Sequence, residues 1–125
     1  MIVAEHIFAV LLISGVITAV PIVQFFFPAA TLKHLHKMSI DDPSALFFVR
    51  HWGLVVFSIA ALLVYAAGHA EVRAPIMLAA LIEKVGLVTM VALHWNQPYA
   101  CGLRAAALFD SACVLVYALY LLGLA

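Results

Sequence analysis

The chain has 125 residues, of which 68% are hydrophobic and 10% charged, and its formal net charge is zero. A soluble domain is nearer half apolar, with about a quarter of its residues charged, so the excess here points to membrane spans distributed along the chain. Without a basic excess, nucleic-acid binding has no electrostatic support.

Hydropathy predicts an all-α protein, an integral membrane four-helix bundle in one transmembrane domain over residues 1–125. The spans fall at about 2–27, 43–67, 75–95 and 98–124, with a short interfacial helix between the first two. The first segment is too long for a signal-peptide core and lacks a basic start, so it reads as a retained span. Within it, Ser14, Thr18 and Pro21 fall near one face, and Gly15 and Ala19 form a small-xxx-small pair beside them. Small residues allow close helix approach, and Pro21 predicts a kink. Glu5 and His6, near its beginning, belong to the interface or close one end of a polar cavity.

After Pro28, the stretch 29–38 alternates Leu32, Leu35 and Met38 with lysines and histidines, as an amphipathic helix on a membrane surface would. His34 and His36 suggest a metal, but positions i and i+2 of a helix do not face each other and no acidic or thiol ligand lies nearby. No metal site is predicted. The second span opens with Asp42 as N-cap and Pro43 at the first helical position, and Gly68 can end it. Arg50 lies a short way inside. His51, Ser58 and Tyr65, spaced by seven, form a polar stripe beside Arg50 and Gly53.

Pro75 starts the third span. Glu83 sits near its middle, with Gly86, Met90 and His94 continuing its face. Lys84 points about 100° away and can snorkel part of the way to water. Asn96-Gln97-Pro98 makes a tight turn into the fourth span, where Asp110, Cys113 and Tyr117 share a face with Ala106 and Ala107 one turn before. Cys101 and Cys113 on one helix would be about 18 Å apart in rise, too far for an intrachain disulfide. They read as small packing residues. Trp52, Trp95, Tyr99 and Tyr120 lie towards span ends, as an aromatic belt would place them. The basic residues Lys33, Lys37 and Arg104 put their two loops in the cytoplasm and both termini outside.

Arg50, His51, Ser58, Tyr65, Glu83, Lys84 and Asp110 together define a polar seam, and intramembrane ionisable residues are expected to be paired or functional. Counting depth along the helices predicts an Arg50–Asp110 ion pair. Glu83 then accepts from Tyr65, Ser58 or Thr18, joins Arg50 through water, or stays protonated. The seam is either structural glue, the wall of a pocket for a lipid or small amphipathic ligand, a contact for a partner membrane protein or a second copy, or part of a proton or ion path. A membrane enzyme or redox subunit, with haem held by His51 and His94, is an alternative, although the depths of these histidines differ by about 9 Å on simple counting. No catalytic residue and no cofactor is assigned, because no cysteine or serine has a clear histidine-plus-acid arrangement.

With these residues assembled, the chain resembles the small four-span bacterial membrane proteins of the broad DoxX-like kind. The resemblance rests on size, four spans, the Asp42-Pro43 start followed by Arg50-His51-Trp52-Gly53, and the acidic Glu83 in the third span. A similar Arg-x-x-Gly near the start of the second span occurs in the eukaryotic ergosterol-biosynthesis scaffold protein. The resemblance implies a membrane subunit or scaffold of the bacterial inner membrane rather than a stand-alone enzyme. The cysteine-based redox motifs of some DoxX relatives are absent.

Overall fold

A computed structural model describes residues 2–124, and all regular structure among them is helical. In chain order the helices are α1 (Ile2–Glu5), α2 (Ile7–Thr18), α3 (Val23–Phe26), α4 (Pro28–His34), α5 (Pro43–Ala67), α6 (Arg73–Leu93), α7 (Pro98–Cys101) and α8 (Arg104–Leu121). Four stretches are long and apolar enough to cross a membrane: Ile7–Phe26, Pro43–Ala67, Ala70–Leu93 and Arg104–Leu121.

Local chemistry explains where these helices break. Pro21 has no N–H to donate, and the chain tightens into a 3₁₀ turn over Val20–Ile22 before α3 resumes. The regular α-helix is thus interrupted at Pro21, where a kink was expected. Asp42 caps α5 by accepting from the Ala45 N–H at 3.1 Å, with Pro43 in the first turn. The other end of α5 falls at Ala67 with Gly68 as its C-cap, as expected, though not in a left-handed conformation, its φ being −99°. The Arg73 guanidinium also caps that end, donating to the carbonyls of Ala66 and Ala67 at 2.8 and 2.6 Å. The fourth long segment is broken at Gly102 and Leu103, between α7 and α8. There Arg104 donates to the Trp95 carbonyl and lies 4.5 Å over the Trp95 ring, tying the loop to the helix that follows it.

The helices pack as two close pairs, α2 along α5 and α6 along α8, joined where α5 meets α6 and where α1 meets α8. Glycine permits the first pairing. A Cβ on Gly15 would lie 2.9 Å from a Val64 methyl and 3.2 Å from the Ala60 carbonyl oxygen. A Cβ on Gly53 would lie 2.5 Å from the Pro21 carbonyl oxygen and 2.9 Å from Gln24 Cβ. Both glycines sit where backbones approach too closely for a side chain.

The apolar core occupies the half of the bundle nearest the chain termini. Ile7 and Leu11 meet Leu63, Ala66 and Ala67, and Met77, Ala80, Cys113 and Tyr117 complete the cluster. Tyr117 is fully buried and its hydroxyl lies 2.5 Å from Ser14 Oγ. Ser14 gives its only proton to the Val10 carbonyl, so the tyrosine is the donor in this link between the first and fourth long helices. The opposite half, beneath residues 27–42 and 94–103, is not filled in this way and holds the cavity described next.

Candidate ligand cavity

The floor of the cavity is an ion pair. Lys84 on α6 is 1% exposed, and its ammonium donates to Asp110 Oδ1 on α8 at 2.8 Å and to Thr18 Oγ1 at 3.0 Å. It also lies 5.1 Å from the centre of the Phe109 ring. Three of the long helices thus converge on one amine, and the bond to Thr18 joins the two helix pairs across the core.

Above this floor the side chains part. A cavity of about 370 Å³ is lined by apolar residues including Ile17, Val56, Leu87 and Phe109, and by Thr18, Glu83, Lys84 and Asp110. Trp52 and His36 form part of its wall. This volume falls within the range of small-molecule sites, which are largely apolar with a few fixed polar groups. Glu83 is half-buried, and its Oε2 is shielded from solvent with no hydrogen-bond partner among the described residues. Buried polar atoms normally have a partner, so this oxygen asks for an explanation.

The roof is the connector between the first two long helices. Gln24, fully buried, donates from Nε2 to the Val49 carbonyl at 3.3 Å and accepts at Oε1 from His36 Nε2 at 2.8 Å. The amide's orientation requires that the His36 proton sit on Nε2. Burial holds the His36 pKa below its ordinary value, outweighing the opposing effect of the Gly102 backbone. The connector reverses at Lys37, a non-glycine residue with φ 55°, and the Met38 N–H returns to the Leu32 carbonyl at 2.9 Å. At Gly102 the loop before α8 passes so close to the His36 backbone that an added Cβ would overlap its carbonyl.

The structure brings Glu83, Lys84 and Asp110 together and leaves the other seam residues apart. The Arg50–Asp110 pair is not formed: Lys84 holds Asp110, and Arg50 and His51 lie on the exposed outer face of α5. Ser58 and Tyr65 are exposed too. Ser58 donates to its own helix at the Leu54 carbonyl, 2.9 Å away, and Tyr65 stacks on His69 at 3.9 Å. Lys84 does not snorkel; the 100° step from Glu83 carries it into the core. His94 is exposed, with Nδ1 2.8 Å from the Met90 carbonyl, and neither it nor His51 lines the cavity.

Trp52, expected in an interfacial belt, is half-buried in the cavity wall with its ring 6.1 Å from that of His36. Cys113 is a buried packing residue, but Cys101 is exposed. Glu5 and His6 are exposed at the far end from the cavity. Among the described residues, no group of three or more histidine, cysteine or acidic side chains is placed to hold a metal. The participants that sequence reasoning missed are Gln24 and Gly102. Gln24 carried a signal, since it is the one amide in the otherwise apolar stretch between Pro21 and Phe27. Searches against protein-family models, curated proteins and solved structures match nothing.

Proposed function

We propose that the protein spans a bilayer four times and binds a small amphipathic molecule in this cavity. The observation that carries the reading is the combination of a largely apolar cavity with a charged floor. If the polar groups served only as glue, they would satisfy one another and fill the space. Lys84, Asp110 and Thr18 do so, but Glu83 does not and about 370 Å³ remains. The apolar walls suit a hydrocarbon or aromatic body, and the floor suits a polar head. The DoxX-like resemblance supports the same direction, towards a binding or scaffold subunit of the bacterial inner membrane.

In this reading, Arg50 faces lipid at the end of α5 nearest the connector, about 10 Å of helical rise from Pro43, and its long stem reaches headgroup level. The lysines of the connector and Arg104 put that end in the cytoplasm and the termini outside. Cys101 offers a natural reporter of this orientation, because it is exposed at that end while Cys113 is buried. In intact cells a membrane-impermeant maleimide should leave Cys101 unmodified until the inner membrane is permeabilised. Labelling without permeabilisation would reverse the orientation.

Native mass spectrometry of the purified protein tests the binding reading. A small copurifying adduct is expected on the wild type and should disappear in Ala106→Phe, whose new ring would enter the cavity, with the fold retained by circular dichroism. An adduct that persists in the folded variant would place the ligand elsewhere.

A further inference from the structure

The cavity's charge inventory indicates which kind of head it takes. Its ionisable lining groups are two carboxyls, one amine and the His36 imidazole. The amine is already engaged: Lys84 bonds to Asp110 and Thr18 and faces the ring of Phe109. His36 donates its Nε2 proton to Gln24 and is disfavoured as a cation by burial. Glu83 is left over, with an oxygen that no donor among the described residues reaches. An anionic head would meet no available cation. A cationic head would meet an unmatched carboxylate, and the terminal torsion of a glutamate is soft enough to turn the free oxygen towards it. The aromatic wall agrees. Trp52 borders the cavity, and indole and phenyl faces attract cations. Phe109 already holds one, the Lys84 ammonium.

We propose that the cavity selects small organic cations, an ammonium head on an aromatic or alkyl body, with Glu83 as the counter-ion and Trp52 as a flanking face. This rests on the binding reading above and gives it a ligand class.

Three probes separate the possibilities in the full chain reconstituted in nanodiscs: benzyltrimethylammonium, its neutral carbon isostere neopentylbenzene, and the anion phenylacetate. Affinities are read by tryptophan fluorescence and compared at equal membrane concentration, so that partitioning cancels. The cation should bind at least about tenfold more tightly than the isostere, and phenylacetate should bind most weakly. Glu83→Gln should bring the cation and the isostere within about twofold of each other, Glu83→Asp should keep the preference, and Ala106→Phe should weaken both. Equal binding of cation and isostere to the wild type, tighter binding of phenylacetate, or a cation preference that survives Glu83→Gln would overturn the cation inference while leaving a binding cavity. Failure of all three probes to bind in competition with the Ala106→Phe control would overturn the binding reading with it.

Discussion

Lys84→Met is expected to destabilise the protein by about 3–5 kcal/mol, the cost typical of removing one partner from a buried ion pair. Lys84 is 1% exposed, and its loss would leave Asp110 in the core without the donor that lies 2.8 Å away. Asp110→Leu should cost a similar amount by stranding the ammonium. The double variant Lys84→Met/Asp110→Leu removes both charges and fills the site with apolar atoms, so it should be no less stable than either single variant. Arg50→Ala is the control. Its side chain is exposed on α5, and surface changes of this kind usually shift stability by no more than about 0.5 kcal/mol. Reversible unfolding in mixed detergent gives the four free energies. Additive costs for Lys84 and Asp110, or a large cost at Arg50, would mean that the pair does not hold the helices together.

That contrast shows where the sequence was legible. In the first and fourth long helices, small and polar residues share one face, and the reading by spacing agreed with the structure: Ser14, Gly15 and Thr18 are buried, as are Ala107, Asp110, Cys113 and Tyr117. In the second and third long helices the two signals point in different directions. The polar stripe of His51, Ser58 and Tyr65 faces outward, and Gly53, Val56, Ala60 and Leu63 are buried instead. Likewise Gly86, Met90 and His94 are exposed, while Met77, Ala80, Lys84 and Val91 face in.

The physical reason is that a hydroxyl on a helix can satisfy itself. Ser58 donates to the Leu54 carbonyl and Thr89 to the Val85 carbonyl, at 2.9 and 2.8 Å, so an outward position strands no proton. Close approach of backbones has no such local substitute and depends on glycine and alanine. Small residues mark the buried face of the second long helix at Gly53, Ala60, Ala66 and Ala67, but not that of the third, where Ala80 is buried and Gly86 is exposed, so neither signal placed Lys84. Glu83, Lys84 and Asp110 were legible as polar lining, but the size and roof of the cavity had no sequence signal, since they depend on how far two helix pairs stand apart and on a connector whose docking arises from distant contacts.

Gly102→Ala is expected to release that connector. The added methyl would overlap the His36 carbonyl, and since both sides of the clash are backbone, neither can yield by a rotamer change. Overpacking of this kind typically costs about 1–3 kcal/mol. Here the easier response is for residues 35–40 to lift away. The turn at Lys37 is already held at φ 55°, a conformation that non-glycine residues adopt only when their surroundings enforce it. Lifting would also break the His36–Gln24 bond and uncover Trp52. Trypsin should therefore cut after Lys37 much faster in Gly102→Ala than in the wild type under native conditions.

Acid should imitate the substitution in the wild type. The docked His36 has a pKa below 6.5, so the released form binds protons more readily. The stability of docking is then fully present above about pH 6.5 and is lost as the pH falls through the lower, docked value. Wild-type cleavage should rise on acidification, measured relative to an unstructured reference peptide to correct for the protease's own pH dependence. His36→Gln should flatten that rise. A Gly102→Ala protein that resists trypsin as well as the wild type would show that the connector is not seated on this glycine, and the roof of the cavity would have to be held by other contacts.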